Sequence, residues 1–195
     1  MNCYFFGTFN PIHKGHIEIA RKVAESGFDR VIFVPSYIPP HKTSSETGSF
    51  KDRLEMVKLA VGAENVSDIE SRLKPPSYTY RTIQKLLEEN KELDRINFII
   101  GYDQFFKIES WREASYLKEK LNFIVIPRRF QNGQTINEKA FEYFKNKGFN
   151  YKILNIDFLD VSSNMIRKLI ENNESISGLT TKEVREYIEN NGLYR

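Results

Sequence analysis

Five short apolar segments alternate along this chain with segments whose apolar residues recur at helical spacing. The apolar segments predict buried strands at Cys3 to Phe6, Arg30 to Val34, Asn97 to Ile100, Asn122 to Ile126 and Tyr151 to Leu154. The other segments predict helices at Gly15 to Ser26, Phe50 to Val61, Tyr78 to Glu89, Asn137 to Lys147 and Ser163 to Glu171. Such alternation predicts an α/β fold, a doubly wound parallel sheet of about five or six strands with helices on both faces. Ligands of such sheets bind beyond the carboxyl ends of the strands.

The length allows one domain. The 195 residues, of which 40% are hydrophobic, are enough to bury the core of a single domain spanning residues 1 to 195. We expect the segment from about residue 162 onward to pack on this domain as helices. Thr180-Thr181-Lys182-Glu183 predicts a capping box that opens the last helix, which Gly192 would end. Cys3, the sole cysteine, lies in the first predicted strand, so we expect a buried, inert thiol.

Charge and hydropathy exclude several classes of partner. The 29 basic and 26 acidic residues give a net charge of +3, which is too balanced for nucleic acid as the main partner. No run of about 18 apolar residues and no basic stretch before a long apolar segment is present, so we expect neither membrane insertion nor export. The cytoplasm is the expected location. The sequence leaves the oligomeric state open, a homo-oligomer included.

The first predicted strand runs directly into a glycine turn, Gly7 to His16 (GTFNPIHKGH), and then into a helix. Exposed amides at a helix start favour bound phosphate, and glycines let backbone and ligand approach closely. His13 and His16, three positions apart, can reach the same spot. The turn therefore predicts a site for a nucleoside triphosphate. The alternative is a zinc site, which would need carboxylate ligands as well, because the chain has three histidines and one cysteine.

This ten-residue string resembles the GxFxPxHxGH signature of the nucleotidylyltransferase superfamily, whose members join a nucleoside monophosphate to a phosphate-bearing acceptor. The resemblance implies a Rossmann-like fold and ATP binding by the turn, through Gly7, Thr8, Phe9, His13, Gly15 and His16. Many bacterial members carry Asp where this chain has Asn10. The change removes a carboxylate and keeps a side chain that can bond to the turn.

A second element follows the second predicted strand, where Pro39-Pro40-His41-Lys42 should reach the same edge of the sheet. On its own, the stretch is better explained by a stiff surface loop with solvated basic residues. It resembles the PPHK element of the bacterial nicotinate-nucleotide adenylyltransferases, and the downstream Arg53-Leu54-Glu55-Met56 fits their pattern too. The resemblance implies that His41 and Lys42 bind the pyridine nucleotide.

Two further elements resemble the part of that family's site that holds the pyridine. Ser77 to Thr82 (SYTYRT) matches a SYTxxT element, in which Thr79 would be the ligand and Tyr78 a packing residue; Ser77 alone is explained as a helix N-cap. Ile99 to Asp103 (IIGYD) matches an IGxD segment, and Trp111 follows it. A short carboxylate after a strand suits ribose hydroxyls, and an indole suits stacking on a flat ring. Asp103 could instead cap a helix, and Trp111 could belong to the core.

The last element, Val161 to Arg167 (VSSNMIR), resembles the family's ISSTxIR motif, with Asn164 in place of threonine. Backbone amides and Arg167 could clamp the outer phosphates of ATP there, with Ser163 beside them. An ordinary N-cap with a solvated arginine is the alternative. One departure from the family is Ile126 to Phe130 (IPRRF), where relatives tend to have an RPG-like turn; the role of Arg128 and Arg129 is open.

Together the elements imply transfer of AMP from ATP to nicotinate mononucleotide, giving deamido-NAD and pyrophosphate. His13, His16, Lys42 and Arg167 would be the catalytic residues, Gly101 and Asp103 would join the ATP site, and Mg2+ would accompany ATP rather than occupy a metal site of the protein. The alternatives are another adenylyltransferase, with phosphopantetheine or nicotinamide mononucleotide as acceptor, a cytidylyltransferase, and a noncatalytic nucleotide sensor. The Ser77 to Thr82 element, Asp103 and Trp111 favour a pyridine nucleotide.

Overall fold

The structure is a computed structural model that describes residues 1–38, 48–127 and 138–195. Five strands form one parallel sheet: β1 (Asn2–Gly7), β2 (Arg30–Pro35), β3 (Ile96–Gly101), β4 (Leu121–Ile126) and β5 (Tyr151–Ile153). The helices of the described residues are α1 (Lys14–Glu25), α2 (Phe50–Val61), α3 (Thr79–Glu89), α4 (Tyr102–Phe105), α5 (Ala114–Lys120), α6 (Glu138–Asn146), α7 (Ser163–Glu171) and α8 (Lys182–Asn190). The predicted α/β class and all five predicted strands and helices are confirmed, with ends that agree to within about one residue.

The strands are arranged in the order β2-β1-β3-β4-β5. The chain leaves β1 toward β2 on one side and then crosses to β3 on the other, so the direction of winding reverses between β1 and β3. This reversal makes a crevice at the carboxyl ends of those two strands, where ligands of doubly wound sheets bind. Gly7 and Gly101 end the two strands at that crevice.

Each face of the sheet carries its own apolar core, because strand side chains alternate between faces. On the first face, Cys3 and Ile99 pack under buried residues of α1, α2, α7 and α8. On the second face, Tyr4 and Phe98 pack under α3, α5 and α6, together with the phenylalanines of the chain's middle section. The helices that begin at Ser163 and Lys182 therefore close the first face.

An asparagine ladder crosses the amino ends of the strands. Asn97 Nδ2 donates to the Asn2 carbonyl at 3.0 Å, Asn122 Nδ2 donates to Asn97 Oδ1 at 3.1 Å, and Asn150 Nδ2 donates to Asn122 Oδ1 at 2.7 Å. Asn97 and Asn122 are partners in the register of β3 and β4. A one-residue slip would break these bonds, so the ladder fixes the register at the edge opposite the crevice.

The last helix begins one residue later than the predicted capping box places it. Its N-cap is Thr181, whose side chain accepts from the Val184 amide, whereas the hydroxyl of the buried Thr180 donates to the Ile12 carbonyl at 3.0 Å. The neighbouring Leu179 carbonyl accepts from the Lys14 amide at 2.9 Å. The prediction of Thr180 as the cap is wrong because its hydroxyl joins the C-terminal segment to the glycine turn instead.

Within the three described stretches of the chain, none of the helices has both the length and the apolar character needed to cross a membrane.

Candidate active site

The glycine turn follows β1 at its carboxyl end and leads into α1. A Cβ at position 7 would lie 2.8 Å from the ring of Phe9, and one at position 15 would lie 2.8 Å from the Leu159 carbonyl oxygen. Real Cβ atoms do not approach that closely, so both positions require glycine for packing. Phe9 itself has a φ of 49°, in the left-handed region that residues with side chains rarely adopt.

The two histidines of the turn stack on each other. Their ring centroids lie 3.6 Å apart with an angle of 23° between the planes. His13 is the N-cap residue of α1 and only 6% exposed. His16 is half-buried and meets the edges of Phe5 and Phe9, at centroid distances of 5.8 and 5.0 Å. The expectation that both imidazoles reach one spot is therefore confirmed.

The backbone amides at the start of α1 are less available than the sequence predicts. The Lys14 amide donates to the Leu179 carbonyl at 2.9 Å, and the His16 and Ile17 amides donate to the His13 carbonyl at 3.0 and 3.3 Å. The prediction of exposed amides is wrong for Lys14 and His16; the bond of Ile17 is an ordinary helical bond. Imidazoles and the side chains that reach the turn from other elements are therefore the better candidates for holding an anion.

Helix α7 reaches the turn from the far end of the chain. Ser163 Oγ donates to the Pro11 carbonyl at 2.8 Å, and Arg167 Nη1 donates to the Asn10 carbonyl at 2.7 Å. Arg167 Nη2 also lies 3.3 Å from Asn164 Oδ1. Ser162 is the N-cap of α7 and accepts from the Met165 amide, so Ser163 is not the cap residue. The guanidinium of Arg167 is therefore held at the turn that carries the two stacked histidines, and it is not freely solvated.

Asn10 connects the turn to two distant segments. The residue is 3% exposed, and its Oδ1 accepts from the Gly48 amide at 3.0 Å and from the Tyr194 hydroxyl at 2.7 Å. These two bonds run from the turn to residues far away in the sequence. The amide oxygen thus provides an acceptor that the usual aspartate of the family would also provide.

Arg53 supports the turn from helix α2, although the sequence motifs assign it no role in the site. The side chain is 1% exposed and donates hydrogen bonds to three backbone carbonyls: Nε to Gly48 at 3.0 Å, Nη1 to Thr8 at 2.8 Å and Nη2 to Tyr37 at 3.0 Å. Burial lowers the pKa of this guanidinium, and the Glu70 carboxylate opposes the shift. Three carbonyl acceptors compensate for the desolvation of a buried charge.

Glu70 holds the other side of the same segment. This carboxylate, 3% exposed, accepts from the Tyr37 amide at 2.9 Å and from the Thr82 hydroxyl at 2.9 Å. Burial raises the pKa of Glu70, while its hydrogen bonds from Ser77, Tyr37 and Thr82 act in the opposite direction. The peptide groups of Tyr37 are therefore held by Arg53 at the carbonyl and by Glu70 at the amide.

Ser77 also belongs to this support rather than to helix α3. Its amide donates to the Ile38 carbonyl at 2.8 Å, and its Oγ accepts from the Ile38 amide at 3.1 Å. Tyr78 is the N-cap residue of α3 and makes no side-chain cap bond. The explanation of Ser77 as an N-cap is therefore wrong, and Thr79 is the first residue of the helix, half-buried.

The structure brings the Thr79 region to the Trp111 region. The Arg112 guanidinium lies 5.0 Å from the ring of Tyr78, and that of Arg81 lies 5.4 Å from the same ring. Trp111 is half-buried on the second face, with its ring 6.3 Å from Phe98 and edge-on to it. Trp111 is therefore partly a core residue: it packs against the core of the second face and remains partly exposed.

Gly101 and Asp103 lie at the neighbouring strand end. Both are exposed, and a Cβ at Gly101 would have no neighbour within 4 Å. Gly101 is the N-cap residue of the short helix α4, so Asp103 is not that cap. These residues border the crevice next to Gly7, across the switch from β1 to β3.

His41 and Lys42 lie outside the described residues, and so do Arg128 and Arg129. Their expected roles stay predictions. Among the residues that the structure does describe, no group of three or more His, Cys, Asp or Glu side chains could hold a metal ion.

Comparisons with known proteins show which family the chain belongs to. A family profile described as cytidylyltransferase-like matches residues 4–169, most of the chain. A protein of Caldicellulosiruptor saccharolyticus with the name "Probable nicotinate-nucleotide adenylyltransferase" is 37% identical, over 98% of this chain and 97% of its own length. A protein of Clostridium acetobutylicum with the same name is 36% identical, over 97% of this chain and 96% of its own length.

A solved structure supports the fold. The nicotinic acid mononucleotide adenylyltransferase of Plasmodium falciparum, complexed with NaAD, superposes with a TM-score of 0.78 at 22% identity, over 99% of this chain and 96% of that one. The fold and the profile first define a nucleotidyltransferase of the cytidylyltransferase-like class. The full-length relatives narrow this further, and the chain belongs to the nicotinate-nucleotide adenylyltransferase family, as its motifs predict.

Proposed function

We propose that this enzyme transfers AMP from ATP to nicotinate mononucleotide, forming deamido-NAD and releasing pyrophosphate. The observation that carries the proposal is the stacked pair of His13 and His16 at the end of β1, with Arg167 bonded to the same turn. These are three nitrogen-rich side chains at the point where doubly wound sheets bind nucleotides. The full-length relatives, named for this activity, support the choice of substrates.

The two faces of the sheet suit two different substrates. His16 packs against Phe5 and Phe9 on the first face, whereas Trp111 packs against Phe98 on the second. ATP would enter on the first face, with its phosphates against the imidazoles. The pyridine nucleotide would enter on the second face, between the start of α3 and the indole. Their reacting phosphates would then meet at the carboxyl ends of β1 and β3, next to Gly7.

The acceptor brings its own nucleophile, so no serine or cysteine is needed. An oxygen of the nicotinate mononucleotide phosphate attacks the α-phosphorus of ATP in line. The new bond forms as the bond from the α-phosphorus to the bridging oxygen breaks, and pyrophosphate leaves with that electron pair. Catalysis then consists of positioning and charge stabilisation.

The chain's own residues supply that stabilisation. His16 would donate to the crowded α-phosphate in the transition state, and His13 would help to hold the phosphates. Arg167, already held at Asn10 and Asn164, would bind the outer phosphates through its remaining donors. Lys42 would add a mobile positive charge. Asp103 would accept hydrogen bonds from ribose hydroxyls.

Magnesium would accompany ATP in this reaction. The described residues offer no cluster of carboxylates or histidines to hold it alone, and Mg2+ commonly binds through substrate phosphates with few protein ligands. When bound, it would neutralise charge on the departing pyrophosphate. His13, His16 and Arg167 would contact the phosphate oxygens that the ion leaves open.

A preference for the acid over the amide follows from the cations near Tyr78. Arg112 and Arg81 both lie against its ring, next to Thr79 and Trp111. The guanidinium of Arg112, an exposed residue beside Tyr78, would act on the proposed pyridine position from the surface. A nicotinate carboxylate is attracted by two guanidiniums, and a neutral carboxamide is not.

The test is pyrophosphate release on mixing the protein with ATP, magnesium and one acceptor at a time. We expect release with nicotinate mononucleotide, less with nicotinamide mononucleotide and none with phosphopantetheine. Release with phosphopantetheine alone would replace the proposed acceptor. ATP binding without release for any acceptor would favour a noncatalytic sensor. Cytoplasmic location and a homo-oligomeric state stay predictions that fractionation and sedimentation would test.

A further inference from the structure

We propose that Tyr194, the second residue from the end of the chain, is a positioning residue for the ATP site and acts through Asn10. The inference rests on the proposed function for its kinetic consequence, although its structural basis does not depend on the acceptor. It assigns a role in the site to a segment that lies nearly 30 residues beyond the last motif of the family's pattern.

Asn10 is fixed from both its side chain and its backbone. Its Oδ1 accepts from the Tyr194 hydroxyl at 2.7 Å and from the Gly48 amide at 3.0 Å, and its carbonyl accepts from Arg167 Nη1 at 2.7 Å. We call these four residues the Asn10 junction. The bonds to the side chain hold Asn10 in place, and any movement of the Asn10 backbone would move the carbonyl that accepts from Arg167, the residue proposed to bind the outer phosphates.

The turn needs such outside support. Phe9, directly before Asn10, has a φ of 49°, a conformation that costs free energy for a residue with a side chain. The Lys14 amide bonds the start of α1 to the C-terminal segment. This bond does not hold residues 8 to 10, because they precede the helix. Arg53 holds the Thr8 carbonyl, and the junction holds Asn10 on the other side of Phe9. The strained residue is thus held on both sides.

Tyr194 is itself held firmly enough to position another residue. Its ring packs against the core of the first face, and the Leu193 amide before it donates to the Ile188 carbonyl at 3.1 Å. Burial raises the pKa of the Tyr194 hydroxyl, so the group keeps its proton and remains a donor to Asn10 at neutral pH. The hydroxyl is therefore a permanent donor on a fixed ring.

The chain supplies a matched control in Tyr187. This residue belongs to the same C-terminal segment, and its hydroxyl donates to Asp52 Oδ1 at 2.9 Å on helix α2. Its bond resembles that of Tyr194 in donor and length and does not reach the glycine turn. A general loosening of the C-terminal segment would affect both variants alike, whereas positioning of the turn would affect one.

The experiment compares Tyr194→Phe with Tyr187→Phe in the full-length enzyme. Three quantities are measured: the thermal unfolding midpoint, the Kd of ATP with magnesium in the absence of acceptor, and kcat and KM for the transfer. We expect the midpoints of both variants to fall by similar amounts. For Tyr194→Phe alone, we expect ATP binding and kcat/KM for ATP to fall about fivefold to twentyfold, the effect of one lost hydrogen bond at a critical group.

Equal ATP binding and equal kcat/KM in the two variants would overturn the inference. Weaker ATP binding in Tyr194→Phe alone supports it even if no acceptor is turned over, in which case only the proposed function fails. A second check compares ATP binding by the single variant Asn10→Ala with that by the double variant Asn10→Ala and Tyr194→Phe. Once Asn10 no longer offers its acceptor, removal of the Tyr194 hydroxyl should cause no further loss of ATP binding. Additive losses of ATP binding in that double variant would contradict action through Asn10.

Discussion

Nη1 of Arg53 lies 2.8 Å from the carbonyl oxygen of Thr8, across 45 residues of sequence. Together with the bonds to Gly48 and Tyr37, this contact makes Arg53 a buried brace for the turn that carries the two histidines. The brace and the proposed chemistry can be separated by experiment, because Arg53 is placed behind the turn and the histidines line it.

Replacement of Arg53 by Met should lower the free energy of unfolding by about 3 kcal/mol, since three carbonyls would lose their donor in a buried place. Arg53→Lys should recover part of this, because an ammonium can donate but cannot span three acceptors. Urea denaturation measures both values. The exposed Arg21 on α1, paired with Glu25, provides the control: Arg21→Met should cost no more than about 0.5 kcal/mol. An equal loss of unfolding free energy in both methionine variants would contradict the role of Arg53 as a brace.

His16→Ala should reduce kcat about a hundredfold or more, because a donor to the α-phosphate acts mainly in the transition state. The measurement is turnover at saturating ATP and acceptor, with circular dichroism to show that the variant folds. His16→Asn, which keeps one donor of similar reach, should lose less. Near-normal turnover of the alanine variant would remove His16 from the mechanism.

Arg112→Met should lower the preference for the acid substrate. We expect the ratio of kcat/KM for nicotinate mononucleotide to that for nicotinamide mononucleotide to fall about fivefold, as one partly screened charge near the pyridine is lost. Arg72, an exposed arginine that pairs with Glu89, serves as the control and should leave the ratio unchanged on replacement by Met. A ratio unaltered by Arg112→Met would mean that the carboxylate is recognised by other groups.

The buried carboxyl group of Glu70 should make the free energy of unfolding depend on pH. Burial raises its pKa in the folded protein above the ordinary value of 4.5, so the folded state binds more protons than the unfolded state between those two values. This contribution to stability is present below pH 4.5 and is lost as the pH rises through the raised pKa. Glu70→Gln, which resembles the protonated form, should therefore gain stability relative to the wild type as the pH rises. Unfolding free energies from pH 4 to 7 would measure this, and a difference independent of pH would contradict the account.

The sequence predicts the elements because their patterns are local. The period of apolar residues identifies α2 and α7 with their observed ends, and the glycine turn is recognised by its own ten residues. Helix α5, with Leu117 as its one buried residue, has too weak an apolar face to be predicted in this way. The support of the site, by contrast, could not be predicted.

Arg53, Glu70 and Tyr194 bond to groups 45, 33 and 184 residues away, among them carbonyls and amides that every residue has. No spacing in the sequence marks such bonds. The same cause explains the two errors at helix starts, where Thr180 and Ser77 match the composition of a cap but bond to Ile12 and Ile38. Long-range hydrogen bonds take precedence over a local preference that several neighbouring residues could satisfy.

A crystal structure of this protein with an unreactive ATP analogue and magnesium is the measurement that tests the central claim most directly. We expect the triphosphate at the end of β1, with phosphate oxygens within hydrogen-bond distance of His16 and Arg167. Occupancy of the turn by protein alone, with the analogue bound elsewhere, would contradict it.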